Sequence, residues 1–349
     1  MARFQIDPDY LRRVLGDVLN TPSPTGDTEW AVNFVSDEVD SLGLQPHVTN
    51  KGALVVRMDG LRNDRPRAIS AHLDTLGAMV SEIKSNGRLK LSAIGGVMWP
   101  SVESEGVSIM TASGRQVRGS LVLENGSAHV NKDARSTKRD ETTLEVRLDE
   151  RTASSEETRL LGIEVGDYVY FDAKVEFSNA GFIRSRFLDD KAGVASILAA
   201  LKALHDVNVV PAQHSTILFS THEEVGHGGM DGLPANLQEY VVVDMAPIGK
   251  GQRGNEFQCS IALKDGGGPY SKRLSDRLRL IAGRESISLV PDVYRFYSSD
   301  GTAYWRSGGD AQVALIGPGV DNSHSYERTH IDALLDTSLL IAEYLADDH

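Results

Sequence analysis

The sequence predicts an α/β protein, a mixed sheet flanked by helices with a small β-barrel or β-sandwich domain inserted into it. Three observations lead there. Apolar, β-branched runs such as "HSTILFS" and "YVVVDMAP" alternate with helical patterns of roughly 10–18 residues, as in a sheet covered on both faces. Between residues 76 and 180 the texture changes to short alternating segments bounded by Gly, Asn, Asp or Ser. A chain of 349 residues is also long for one hydrophobic core. The simplest organisation is a catalytic α/β domain built from residues 1–75 and 181–349, with residues 76–180 as the insertion.

The elements follow in order. "PDYLRRVLGDVL" spaces Tyr10, Leu11, Val14, Leu15 and Val18 at helical intervals, with Pro8 suited to a first turn. "TPSPTG" breaks the chain. "DTEWAVNFVSDEVDSLG" predicts a second helix, opened by Asp27 and closed by Gly43. "ALVVRM" and "RAISAHLD" read as strands. Inside the insertion "GRLKLSAIG", "VSIMTA", "GSLVLEN", "TTLEVRLD" and "GDYVYFDAKVEF" are short strands, and the charged "NKDARSTKRDE" is a solvated loop. Beyond it "DDKAGVASILAALKALHD" is a strong helix. The strands "HSTILFS", "YVVVDMAP" and "AQVALIG" then alternate with the helices "SKRLSDRLRLIAGRE" and "IDALLDTSLLIAEYLADD", and "SSDGTAYWRSGGD" reads as a loop. There are no repeats and no low-complexity tract.

Composition excludes several classes. A formal charge of -13, from 36 basic against 49 acidic residues, argues against nucleic acid or an anionic membrane as partner, since both call for a basic face. The start, "MARFQIDPDYLRRVLG", lacks the apolar core of about 7–15 residues of a secretion signal, and no run of about 18 apolar residues occurs. A cytoplasmic protein is expected. Cys259 is the single cysteine and reads as a small buried apolar residue.

In open α/β sheets ligands gather beyond the carboxyl ends of the strands. Five such places carry polar residues: His72 and Asp74 ending "AISAHLD", Asp189 and Asp190 after "IRSRFL", Glu223 and Glu224 after "ILFSTH", Asp244 ending "YVVVD", and His324 after "VALIGPGVDNS". Each has a plain alternative. An adjacent glutamate pair is commonly a solvated helix start, an aspartate opening a helix is a cap and dipole partner, a strand-end aspartate forms turns, and a lone histidine packs in a core. Together they supply two imidazoles and several carboxylates to one sheet edge. Oxygen and nitrogen donors of this kind suit divalent metals, and two ions about 3.5–4 Å apart commonly clamp a hydrolytic site. A shared aspartate, one further carboxylate per ion and a hydroxide neutralise such a pair and leave one carboxylate over. Of Glu223 and Glu224, one can then ligate while the other takes a proton from water. The "GHGG" that follows permits close backbone approach, and the "HLD" spacing puts His72 and Asp74 on one strand face.

The motifs "AHLDT", "LDDKAG", "EEVG", "VVVDMAP" and "HSYE", in that order, with "GIEVGDYVYFD" before the aspartate pair, resemble metallopeptidase family forty-two over nearly the whole chain. That family includes the glutamyl and tetrahedral aminopeptidases. "HLDTLGAMV" and "SHSYERTHIDAL" resemble a subset associated with N-acetylglutaminylglutamine amide osmoprotectant genes. The resemblance implies two divalent ions per subunit, with zinc the expected metal and cobalt or manganese as alternatives. It implies that Asp189 bridges them, that His72 and Asp244 complete one site, and that Glu224 and His324 complete the other. Glu223 becomes the general base and acid, and Asp74 orients or tunes the His72 imidazole. Asp190 caps the helix or supports the site, His222 and His227 are local structure or pocket wall, His330 caps or lines the pocket, and His129 has no assigned role.

The implied activity is removal of amino-terminal residues from short peptides, in a homo-oligomer paired through the inserted domain, with a tetrahedral dodecamer as the family's frequent form. An amidase or deacylase on small acylated amino acids or dipeptides keeps the metals and changes the substrate. A metal-free glycosidase using two carboxylates is the more distant alternative. Arg328, in "YERTH", is a candidate attractor for acidic side chains.

Overall fold

A computed structural model describes residues 3–348. They divide into two compact units, one running to Asp74 and resuming at Lys174, the other spanning Thr75–Ala173.

The first segment opens with α1 (Pro8–Asn20), whose orphan amides at Asp9 and Tyr10 are accepted by the Asp7 side chain. Helix α2 (Glu29–Ser41) starts two residues after the expected Asp27, whose own amide is drawn into a turn on the Pro24 carbonyl. Gly43, with φ +73, terminates it as expected. Strands β1 (Pro46–Val48), β2 (Leu54–Met58) and β3 (Arg62–His72) follow.

The inserted unit is a closed barrel. Strands β4 (Gly77–Ile83), β5 (Leu89–Ile94), β6 (Gly106–Met110), β7 (Gln116–Leu123), β8 (Leu144–Leu148) and β9 (Tyr168–Phe171) join in the order β4-β5-β8-β7-β6-β9. Along β7 the residues Val117, Gly119, Leu121 and Leu123 are buried and alternate with exposed or half-buried neighbours, the period-two pattern of a barrel wall. Gly119 is required there, because a Cβ would lie 2.7 Å from the Arg147 carbonyl oxygen. Two short helices, α3 (Trp99–Val102) and α4 (Ser155–Leu160), complete the unit. The charged segment expected as a loop carries one 3-10 turn, Lys132–Arg135.

The return to the first unit comes at Lys174 instead of residue 181, because β10 (Glu176–Phe177) already pairs with β11 (Phe182–Ser185). Helix α5 (Leu188–Asp206) is buried on nearly every side, as its Ala- and Leu-rich composition allows. Then come β12 (Gln213–Ser220), β13 (Glu239–Val243), β14 (Ala246–Pro247), β15 (Cys259–Asp265), β16 (Gly268–Pro269), α6 (Lys272–Glu285), β17 (Leu289–Val293), α7 (Asp300–Arg306), β18 (Gln312–Val320), β19 (Glu327–His330) and α8 (Ile331–Ala346). Helix α7 corrects the loop expected over "SSDGTAYWRSGGD"; Ser299 caps it by accepting the Gly301 amide.

The main sheet runs β1-β2-β12-β3-β13-β18-β15-β16, and its four central strands β12, β3, β13 and β18 are parallel. Their side chains alternate between two cores. Ile69, Val241, Val243 and Ile316 join the larger, which holds α1, α5 and α8, while Ala68, Tyr240, Val242 and Leu315 join the other. Parallelism puts the carboxyl ends of the four strands on one edge, with Ser220 beside His72 in register. A second sheet, β10-β11-β19, pairs Ser185 with Glu327 and so ties the entry of α5 to the turn after β18. Cys259 is buried. Among the described residues no helix is long and apolar enough to cross a membrane.

Candidate metal centre and active site

The eight candidate residues lie at or just past these parallel strand ends or at the entry of α5, and the fold draws them into one cluster. His72 ends β3; its Nδ1 donates to the Asp74 main-chain oxygen at 2.9 Å, which leaves Nε2 as the nitrogen that faces inward. Nε2 lies 3.0 Å from Asp189 Oδ1. The other oxygen of Asp189, Oδ2, lies 3.4 Å from His324 Nε2 and accepts Ser323 Oγ at 3.1 Å. Glu224 Oε2 is 3.6 Å from the same His324 nitrogen, and Glu223 Oε2 is 3.9 Å from His72 Nε2.

Asp74 meets the His72 ring with two groups, its carbonyl oxygen at 2.9 Å and its carboxylate at 3.6 Å from Nδ1. The carboxylate also accepts the main-chain amides of Glu223 (3.1 Å) and Glu224 (3.3 Å), together with Thr25 Oγ1 at 2.6 Å. A group at one strand end therefore fixes the turn at the end of its neighbour.

That turn folds back on itself. The Gly226 amide donates to Glu223 O and the His227 amide to His222 O. A Cβ on Gly228 would meet Asp300 Oδ1 at 2.4 Å and the Glu223 nitrogen at 2.9 Å, so this position of "GHGG" is closed to any side chain. Asp300, buried at the start of α7, accepts Ser220 Oγ beneath the same turn.

Charge is out of balance in this cluster. Burial pushes the carboxyls of Glu223, Asp244 and Asp190 well above their usual range, and that of Glu224 up to about 8. Burial acts on Asp189 too, but hydrogen bonds from His324 and His72 hold it well below the ordinary aspartate value. For His72, burial favours the neutral ring, and bonds to Asp189 and Asp74 overcome it, raising the pKa. Several buried oxygens also lack a hydrogen-bonding partner: Asp190 Oδ2, Glu224 Oε1, Asp244 Oδ1 and Asp300 Oδ1. Orphaned carboxylate oxygens in a region of excess negative charge call for a cation.

Two donor groups meet that need. His72, Asp190 and Asp244 offer ligand atoms within 4.8 Å of one another, and so do His72, Asp189 and Glu224. Asp190, expected as a cap or support, does both: Oδ1 accepts the Gly193 amide of α5 at 3.2 Å, Oδ2 is buried without a partner, and a carboxylate oxygen comes within 4.8 Å of ligand atoms of His72 and Asp244. Glu223 belongs to neither group.

The remaining histidines are accounted for locally. His222 and His227 stack at 5.1 Å, and Lys51 Nζ donates to His227 O. His330 caps α8 by accepting the Asp332 amide and packs against Phe182 and Phe257. His129 is exposed in the loop after β7. Arg328 stacks over Phe182 at 3.9 Å and pairs with Glu256 at 3.7 Å, so its charge is already engaged.

Three participants were not singled out from the sequence. Thr25 and Asp300 lie in segments read as loops, and Glu327 lies inside "HSYE". Glu327 accepts the amides of both Asp189 and His324. The final residue of "HSYE" was the one available signal.

Comparison with known proteins gives the family. The model of the M42 glutamyl aminopeptidase family matches residues 52–340. The chain belongs to that family. It is a peptide hydrolase with aminopeptidase activity, the class that family and its relatives define. The YhfE protein of Bacillus subtilis (strain 168) is 40% identical over 332 residues, 95% of this chain and 96% of that protein. Among solved structures, the aminopeptidase APDkam598 from the archaeon Desulfurococcus kamchatkensis superposes with a TM-score of 0.86 at 21% identity, covering 97% of this chain and 94% of its own. The Pyrococcus horikoshii TET1 peptidase, described as assembling into a tetrahedron or a large octahedral shell, superposes with a TM-score of 0.82 at 21% identity, covering 97% and 99%. At these identities the structural likenesses speak for the fold alone.

Proposed function

We propose that this M42 chain removes amino-terminal residues from short peptides at a centre of two divalent cations, most simply zinc, with cobalt or manganese as alternatives. The observation that carries the reading is Asp189, whose two oxygens point in different directions, Oδ1 at 3.0 Å from His72 and Oδ2 at 3.4 Å from His324. A carboxylate so divided suits a bridge between two sites. His72 and Asp244 complete one, supported by Asp190; Glu224 and His324 complete the other.

When bound, the ions supply Lewis acidity, polarising the scissile carbonyl and lowering the pKa of water toward neutrality. The chain's own residues do the rest. Glu223, held by its main-chain amide to Asp74 and outside both donor groups, takes the proton from the attacking water and returns it to the leaving amine. The raised affinity of its carboxyl for a proton suits that exchange. Asp74, through Thr25 and the two glutamate amides, keeps base and ligand at fixed separation.

The inserted barrel is assigned to self-association, by likeness to the TET1 shell, and light scattering tests it. For the chemistry, Glu223→Gln is expected to lower kcat by about 10²–10⁴-fold with metal content unchanged, whereas Glu224→Ala lowers metal content as well. Retention of most activity by Glu223→Gln, or hydrolysis that survives exhaustive chelation, would show the role assignment to be wrong.

A further inference from the structure

We propose that Glu327 is a positioning residue that holds the second cation site together, by fixing the main chain of two ligands at once. The inference rests on the two-cation reading above and adds a residue to it. Glu327 opens β19 and is 1% exposed. Oε2 accepts the Asp189 amide at 3.1 Å and Oε1 accepts the His324 amide at 3.0 Å. The two amides lie 135 positions apart in sequence (324 − 189) and are joined through this one side chain.

The need for such a staple is visible in the backbone. His324 has φ +62 and Asn322 φ +62, and Phe187, two residues before Asp189, has φ +70. Non-glycine residues populate this left-handed region sparsely, and they persist there where surrounding bonds over-determine them. Around His324 the main-chain pair between Asp321 and Arg328 closes the turn, and the Glu327 oxygen takes the amide at its centre. On the other side, the antiparallel register of Ser185 with Glu327 delivers the carboxylate to the entry of α5. The bond from Asp74 to the Glu223 and Glu224 amides is the same device on the opposite flank. Both staples use carboxylates, which are acceptors on both oxygens. A glutamine at position 327 offers one acceptor and turns an NH₂ donor toward the other amide.

The test is cobalt(II) titration of metal-stripped full-length wild type and Glu327→Gln, followed by visible absorption, with thermal melting of both metal-free proteins. The wild type is expected to take two equivalents. Glu327→Gln is expected to bind its second equivalent at least tenfold more weakly, with an altered cobalt spectrum and a metal-free melting temperature close to that of wild type. A second equivalent bound less than tenfold more weakly overturns the inference and leaves the two-cation reading standing. A wild type that takes up no cobalt defeats the reading itself. If metal-free Glu327→Gln does not fold, Glu327→Asp, which keeps the charge and shortens the reach, is titrated by the same criteria. Failure of both to fold overturns the inference, since the carboxylate then holds the fold and not the centre.

Discussion

The paired strands β3 and β13 carry buried charge at two places, where β13 begins and where both end, and the two places handle it differently. Where β13 begins alongside the middle of β3, the paired Arg67 and Glu239 have side chains 2% and 3% exposed, with Nε and Oε2 3.3 Å apart. Arg277 reaches both oxygens of Glu239, at 3.2 and 3.1 Å, and also Asp347 at 2.7 Å. Tyr344 and Arg65 donate to Glu239 as well, and Arg67 Nη1 donates to the carbonyls of Tyr344 and Asp347. Positive and negative charges are matched there, with Arg67 Nε facing Glu239 as a charge partner and without a hydrogen bond. At the carboxyl ends of the same strands, His72 and Asp244 sit among Asp189, Asp190, Glu223 and Glu224, carboxylates outnumber imidazoles, and oxygens stand without partners. Burial alone therefore does not mark a functional site. Burial without compensation does, because a matched cluster is complete within the chain and an unmatched one requires something from outside it.

The comparison is broken most directly at Glu239. Replacing it with Gln leaves Arg67 buried beside a neutral partner, and the expected loss of folding stability is about 3–5 kcal/mol, read by denaturant unfolding, with metal content unchanged. A change under about 1 kcal/mol would mean that the Glu239 cluster is as incomplete as the other and that the contrast fails.

A second, smaller effect is a pair of opposite pH responses. In metal-free protein Glu224 keeps its proton up to about 8 when folded and loses it near 4.5 when unfolded. Between those values the folded state binds more protons, so stability falls as pH rises. His72, whose pKa is raised, acts in the same direction. Asp347 is the reverse case. Burial raises its pKa, hydrogen bonds from Arg277 and Arg284 lower it further than that, and its contribution is present above about 3.8 and lost on acidification. Metal-free protein should therefore lose stability from about pH 5 to pH 8, and divalent metal should remove most of the slope. Glu224→Gln should reduce the slope without metal, leaving the part due to His72, Glu223, Asp190 and Asp244. An unchanged slope in that variant would place the imbalance elsewhere.

The smallest effect expected is at His330, a histidine outside both clusters. His330→Ala removes the side-chain cap on α8 and should lower stability by about 1 kcal/mol, leaving metal content and activity near wild type. A fall in metal content would bring His330 into the centre and blur the line between site and scaffold.

Much of this was legible before the structure. Periodicity placed the two opening helices, the strands of the parallel core, the buried α5 and the closing α8, because each carries a long apolar pattern. It missed α7, whose seven residues, "DGTAYWR", are too few to establish a helical period. It marked the strand-end polar residues because a carboxylate after an apolar run is a local anomaly. The duties of Asp74, Glu327, Asp300 and Thr25 were hidden, since each bonds a segment distant in sequence, Glu327 to Asp189 for one. By itself, then, the sequence determined which groups of ligand type sit at the ends of buried strands. Only the tertiary structure decided which of them share a centre and which hold it. Local pattern records burial and period, while a side chain's bond to a remote amide depends on where turns from separate strands come to rest.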